Sequence, residues 1–368
     1  MKRIIAFAVL LSASFAVFSQ TMDKPDYIHG YERVLDQAQV AYDDGDFGEA
    51  LNLAEKSKNL RRFQIKYEIF TLENSFKSSE VKQKGDSLTN IIKILNQRED
   101  YDAVEVIARN QRKYGEERFN DSKTQLLSFI KTNDSFPEAD FLIGQIYCLE
   151  GEYEIAYKYL FQAYENSENL DVKDVKYDIL YKLADVSLLL HKDDKYEEFL
   201  LLILSQSPEF KDASLAKVMK KTVESTRADC LEKFFSLYRC NNYSLLKAYF
   251  ALTQYYQSHN KKEKALHVCQ LGVITAYTKI IDVIKKRNAE FEVTGLQDVL
   301  EEASKYPDII QWGIENGIWK GFYTLAELSH SQTNLIFAVN LLHILKDYEP
   351  EDYWKDKAFV KLNEITVR

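Results

Sequence analysis

Glycine and proline are scarce: the 368-residue chain has 12 Gly and 5 Pro, against an average usage of roughly 7% and 5%. So few turn formers leave little room for the many tight reversals of an all-β protein or for a glycine-looped nucleotide fold. Long helices account for the composition best. Catalytic signatures are missing too. No glycine-rich loop ends in Gly-Lys-Ser/Thr, no Gly-x-Gly-x-x-Gly follows a strand-like run, and no Gly-x-Ser-x-Gly elbow occurs. The histidines, His29, His191, His259, His267, His330 and His343, form no His-Glu-x-x-His pair. His267-Val268-Cys269 comes closest to a metal cluster, but two ligands on nearly opposite helix faces make a poor site. Acid pairs such as Asp43-Asp44 and Asp193-Asp194 fall at turns, where carboxylates cap helices. The expectation is a non-enzymatic protein with no cofactor and no metal.

Excess positive charge is absent as well. The formal net charge is -9, a balance that repels phosphate backbones and anionic lipid, so neither nucleic acid nor a membrane surface is an expected partner. The basic clusters at Lys261-Lys262-Glu263-Lys264 and Lys285-Lys286-Arg287 are expected at helix ends, where cations complement the dipole. Only one long apolar run exists, Ile4 to Phe18, preceded by Lys2 and Arg3 and closing in Val17-Phe18-Ser19. It is short for a membrane span, which needs about 20 apolar residues, and its small residues suit cleavage after Ser19. The expectation is therefore a signal peptide over 1–19 and an exported, periplasmic or secreted chain, the competing reading being an uncleaved N-terminal anchor. Loss of Lys2 and Arg3 with that segment would change the charge from -9 to -11. No Cys lies near the cleavage site, which excludes lipid anchoring by the bacterial lipoprotein route. Among the four cysteines, Cys148 and Cys269 fall in amphipathic stretches, where Cys packs as a small apolar residue. Cys230 and Cys240 read as one helical segment, about 15 Å apart and too far to bridge. A Cys240–Cys269 bridge stays open.

What the chain does contain is a recurring helix-turn-helix unit. It is clearest in PEADFLIGQIYCLEGEYEIAYKYLFQAYENSENL, residues 137–170. Asp140, Ile143, Gly144 and Tyr147 share one face of a first helix; Ala156, Leu160 and Ala163 share one face of a second. Gly151 sits between, and small Gly144 and Ala156 stand where two helix axes must approach. VLDQAQVAYDDGDFGEALNLAEKS repeats the pattern with Ala38, Gly45, Ala50 and Ala54. AYFALTQYYQSHNKKEKALHVCQLG repeats it with Thr253 and Ala265, Asn260 replacing the turn glycine, a residue that tolerates the left-handed conformation. The last copy, GFYTLAELSHSQTNLIFAVNLLHILKDYEP, has Ala326 and Ala338, with Pro350 stopping its second helix. Two degenerate copies follow the pattern less well. One has Tyr101, Val104 and Ala108, with Ile92 in the small position. The other has Leu183, Ala184 and Ser187, a longer turn before Tyr196, and bulky Phe199 where Ala is usual.

This pattern resembles the tetratricopeptide repeat, a 34-residue helix-turn-helix unit. The resemblance implies an all-α fold, an irregular superhelix of antiparallel helix pairs. Equivalent positions here are 43 to 73 residues apart, not 34, so extra or lengthened helices are expected over Ile65–Val81, Asp121–Thr132, Ala213–Tyr238 and Ala276–Lys305. The chain divides on this reading into repeats over 20–136, 137–210 and 211–368. Trp312 and Trp319 are expected either as core residues or, on one helix face, as an aromatic patch for a partner.

In that repeat family the first helix of each unit lines a groove for an extended peptide or a helix. The corresponding residues are Leu35, Gln39 and Tyr42; Phe141, Gln145 and Leu149; Phe250, Gln254 and Gln257; and Tyr323, Glu327 and His330. Such a groove offers aromatic steps and amides to a protein or peptide partner, unless inserted helices cover the aromatics. The basic clamp that some relatives use for a free C-terminal acid is absent as a pattern. The functional expectation is a scaffold or adaptor in the cell envelope. The alternative is a protein that holds a small molecule or peptide inside the superhelix for a transporter.

Overall fold

The computed structural model describes residues 30–77, 135–238, 243–332 and 335–366, except for the side chains of 64–77 and 332. The described residues are all-α: helices and connecting turns, with no β-strand among them. The segment 1–19 expected as a signal peptide, the degenerate copy around Val104, the stretch Asp121–Thr132 and Cys240 lie outside them. Contacts divide the chain into two compact units, 1–179 and 180–368. The division falls inside the segment that the sequence groups as 137–210.

The first unit holds α1 (Gly30–Asp43), α2 (Phe47–Lys77), α3 (Pro137–Leu149) and α4 (Tyr153–Glu165). α1 pairs with α2, α3 pairs with α4, and α2 also packs on α3. Ala38, Ala50, Ala54, Leu142, Ile143 and Ile146 form its core, edged by Leu35, Tyr42 and Tyr147. Small residues let the axes close. A Cβ on Gly144 would lie 2.7 Å from Leu160 Cγ and 3.2 Å from the Leu160 backbone N, so α3 and α4 touch almost backbone to backbone. The predicted extension beyond Ile65 is the far half of α2, one unbroken 31-residue helix.

The second unit holds α5 (Val175–Leu189, which spans the division), α6 (Asp193–Leu204), α7 (Pro208–Lys211), α8 (Ala213–Val223), α9 (Cys230–Phe235), α10 (Leu246–Ser258), α11 (Lys262–Arg287), α12 (Leu296–Ala303), α13 (Pro307–Glu315), α14 (Ile318–Gln332), α15 (Leu335–Tyr348) and α16 (Asp352–Thr366). The pairs α10–α11, α14–α15 and α15–α16 pack closely, and α11 also packs on α14. Pro137, Pro208 and Pro307 each start a helix, where the missing N–H has no intrahelical partner to lose.

One turn recurs in four hairpins. Gly45 and Gly151 take φ of 82° and 81°, and His191 and Asn260 both take 55°. Each residue donates its N–H three residues back: Gly45 to Tyr42, Gly151 to Cys148, His191 to Leu188 and Asn260 to Gln257. Each following residue donates five back: Asp46 to Ala41, Glu152 to Tyr147, Lys192 to Ser187 and Lys261 to Tyr256. That pair of bonds satisfies the last carbonyls of the first helix and needs a left-handed residue. Around it the register is constant: the small position of the first helix lies seven residues before, that of the second five after. The α5–α6 turn is therefore no longer than the others, which corrects the sequence reading. His191 takes the glycine's place, and the partner of Ala184 is Tyr196, not Phe199. Tyr196 fits where Ala is usual because its ring leans on Tyr255 of α10, centroids 5.4 Å apart, and burial with Asp185 nearby pushes its hydroxyl up to about 12.

Three further expectations change. α9 ends at Phe235, so Cys230 and Cys240 are not on one helix. Cys230 and Cys269 are buried thiols in no disulfide, which removes the Cys240–Cys269 bridge. The helix also breaks at Gly317 (φ 64°), so Trp312 and Trp319 do not share a face. Trp319 is fully buried core, its Nε1 donating to the Ile310 carbonyl at 3.1 Å. The expected extra helices over Ala213–Tyr238 and Ala276–Lys305 are present as α8 with α9, and as the long end of α11 with α12.

Glu349, between α15 and α16, is 1% exposed with no hydrogen-bond partner on either carboxylate oxygen. Burial first, then Glu351, pushes its carboxyl well above the usual range, against a smaller opposite pull from Lys355. A carboxyl with a raised folded pKa stabilises the fold below its unfolded pKa, and that contribution is lost as pH rises through the folded value. Each unit of pH inside that window costs up to about 1.4 kcal/mol. Glu349→Leu is expected to match the wild type at pH 4 and to exceed its urea stability at pH 8. Equal stability of the two proteins at both pH values would refute the buried acid.

Candidate partner-binding cleft

With the register corrected, the groove positions fall ten and six residues before each turn. Ten before stand Leu35, Phe141, Tyr181, Phe250 and Tyr323; six before stand Gln39, Gln145, Asp185, Gln254 and Glu327. The longer turn expected after α5 hid Tyr181 and Asp185 from the sequence reading. The last pair is counted from residue 333, which lies outside the described residues.

In the first unit these side chains do different things. Leu35 and Tyr42 pack on the core, and Gln39 is exposed, its Nε2 donating to Asp43 at 2.9 Å. Phe141 and Gln145 are half-buried on α3, and Leu149 is exposed.

In the second unit a cleft of about 360 Å³ opens between α5, α10 and the α13–α14 turn. Phe250 is its aromatic floor and is 8% exposed. It lies there because α14 presents Gly321: a Cβ at that position would come within 2.7 Å of Phe250 Cζ. A Cβ on Gly272 of α11 would likewise lie 3.1 Å from Phe250 Cε1. Gln254, one turn along, is exposed and lines the wall. The mouth carries both signs of charge. Lys247 Nζ stands 3.4 Å from Asp185 Oδ2, each more than half exposed, and Lys320 and Glu315 face the cleft from α14 and α13. Such exposed pairs contribute roughly 0–1 kcal/mol to stability, so they remain available to a ligand. Tyr181 fixes the edge: its hydroxyl donates to the Ser244 carbonyl at 2.7 Å and accepts from the Ala248 N–H at 3.2 Å.

The remaining groove candidates do not join this cleft. Gln257 is exposed near the C-terminus of α10, where its carbonyl serves the turn. Tyr323 is 8% exposed, its ring tilted against Trp354 of α16 with centroids 5.3 Å apart, and its hydroxyl donates to Glu327 at 3.0 Å. Lys361 of α16 reaches Glu327 at 4.0 Å. α16 thus covers this position, which corrects the expectation that Tyr323 and Glu327 line an open groove. Lys247 was legible as the next step of the 247-250-254 stripe; Lys320 and Glu315 come from other helices and left no sequence signal.

No group of three or more His, Cys, Asp or Glu side chains is placed to hold a metal among the described residues. No helix there is long and apolar enough to cross a membrane.

No family model matches the chain. It is similar to an uncharacterized protein of Treponema pallidum (strain Nichols), 29% identical over 364 residues and covering 97% of both chains. That likeness runs over the whole length and not over a single hairpin. Among solved structures, a circular tandem repeat protein with novel repeat topology and enhanced subunit contact surfaces aligns with 91% of this chain and 69% of its own, at 12% identity and a TM-score of 0.19, too low to establish a shared fold.

Proposed function

We propose that this protein is an exported, non-catalytic adaptor of the cell envelope, built from tetratricopeptide-like helical hairpins, that holds a protein or peptide partner in the Phe250–Gln254 cleft. The observation that carries this reading is the cleft itself, where an aromatic floor, an exposed amide and charges of both signs meet. Phe250 offers an apolar step, Gln254 can donate to and accept from a peptide backbone, and the Lys247, Asp185, Lys320 and Glu315 charges select neither sign strongly. Recognition of an extended segment or a helix uses such elements. Export rests on Lys2 and Arg3 before the apolar run Ile4–Phe18, and sequencing of the mature N-terminus tests it.

A photo-crosslinking residue placed at Gln254 in cells is expected to yield one dominant adduct. The same residue at Lys286, at the far end of α11, serves as the control. Lys247→Glu/Lys320→Glu is expected to reduce the adduct at least about tenfold, since a lost charge-assisted contact plus a new repulsion exceeds about 1.4 kcal/mol. Equal adducts from both sites, or no effect of the charge reversal, would overturn the assignment.

A further inference from the structure

α11 opens against the electrostatic preference that the second helices of three other hairpins follow. A helix N-terminus carries the positive end of the dipole and favours acids; α2, α4 and α6 comply, with Glu49, Glu154, and Asp193 and Asp194 in their first turns. α11 starts with Lys262 and Lys264 around Glu263, after Lys261 at the N-cap, whose side chain makes no capping bond. The expectation that this cluster complements the dipole is therefore wrong for Lys261–Lys264 and right for Lys285–Arg287, which close the same helix. Part of the excess is neutralised across the hairpin: Glu197 of α6 accepts from Lys261 at 3.0 Å and from Lys264 at 3.3 Å.

Lys262 and Lys264 border a cleft of about 680 Å³ between α8 and the first turns of α11, within the range of small-molecule sites. α8 adds Lys217 and Lys220 to Lys262 and Lys264 of α11. The carboxylates there are Glu263 and Glu224, the latter 3.8 Å from Lys220. Cations thus outnumber acids in a chain that is acidic overall. Gln270 lines the cleft one helical turn beyond His267. It is 2% exposed, and its Nε2 has no hydrogen-bond partner. An unpartnered buried amide costs about 1–3 kcal/mol, and at a position flanked by Cys269 and Leu271, both 1% exposed or less, an apolar residue would avoid that cost. The His267 ring, pushed down by burial, is neutral at neutral pH and so leaves the charge contrast to the lysines.

We propose that the α8–α11 cleft binds a small polyanion, a phosphate ester or a polycarboxylate, whose charges meet Lys217 and Lys262 while one oxygen accepts from the Gln270 amide. Binding is reversible and breaks no bond. The proposal does not depend on the adaptor reading, whose cleft is lined by different residues.

The test uses the full chain, with inorganic pyrophosphate and citrate as probes in isothermal titration calorimetry and sodium chloride at matched ionic strength as the control. Saturable binding of at least one probe is expected, weakened on the order of tenfold or more in Lys217→Ala/Lys262→Ala and likewise in Gln270→Leu. Because Gln270→Leu removes an amide nitrogen that has no partner, it is expected to melt no lower than the wild type, which separates lost binding from lost folding. Pyrophosphate alone identifies a phosphate ester, citrate alone an organic acid. No saturable binding of either probe, or binding unchanged in either variant, overturns the proposal.

Discussion

Lys58→Met lowers the stability of the chain by about 3–5 kcal/mol, because it strands a buried carboxylate. Lys58 Nζ lies 2.5 Å from Asp140 Oδ1, with the two side chains 7% and 1% exposed. Burial pushes the Asp140 carboxyl up, and Lys58 opposes that rise by hydrogen bonding and charge. The ammonium also sits over the Tyr159 ring, 5.0 Å from its centroid, and Tyr159 donates to Glu55 at 3.2 Å. The pair therefore ties α2 to α3, with α4 behind it. Removing the cation leaves Asp140 neither hydrated nor paired. Lys58→Met/Asp140→Leu, which removes both charges, is expected to recover most of the loss, since a well-packed apolar replacement of a buried pair is often neutral or stabilising. Guanidinium titration followed by circular dichroism measures all three proteins. A single-variant loss below about 1 kcal/mol, or a double variant no better than the single, would refute the pair as a buried tie.

Gly313→Ala is expected to cost about 3 kcal/mol, the upper end of the usual overpacking range. A Cβ there would fall inside the Trp319 indole, 2.5 Å from Nε1 with two ring carbons closer still. The indole cannot retreat. It is fully buried, bonded to the Ile310 carbonyl and stacked near Phe322 at 6.3 Å. The left-handed Gly317 turn fixes α13 against α14. Trp319→Phe in the Gly313→Ala background is expected to restore part of the loss by freeing space. Gly295→Ala provides the control: its backbone is extended at φ -178° and nothing lies within 4 Å of a built Cβ. Thermal melts of the three variants decide the matter. A Gly313→Ala melting temperature equal to that of Gly295→Ala would show that the contact is not what holds α13 on α14.

Much of this was legible in the residues. Ala38 with Ala50, Gly144 with Ala156, and Thr253 with Ala265 marked the hairpin contacts correctly because one small residue on each helix is what close axes require. Gly45, Gly151 and Asn260 marked the turns because few residues adopt positive φ readily. His191 escaped notice for the same reason: propensity ranks it well below glycine, and tertiary packing of α5 and α6 overrode that preference. The displaced register then put Phe199 in the place of Tyr196 and left out Tyr181 and Asp185.

The candidate clefts were less legible. Helical periodicity says which side chains share a face but not which neighbour covers that face. Phe250 and Tyr323 occupy equivalent places in their hairpins. Phe250 floors a cleft because Gly272 and Gly321 admit its ring, whereas Tyr323 is closed off by Trp354 of α16. Likewise a run of lysines reads the same at either end of a helix. By itself the sequence determined the all-helical class, the hairpin turns and the small residues at the contacts, since each follows from local backbone and steric rules. Only the tertiary structure decided which aromatics stay reachable, where Lys58 finds Asp140, and that the lysines opening α11 face a cleft, since each depends on helices that are distant in sequence.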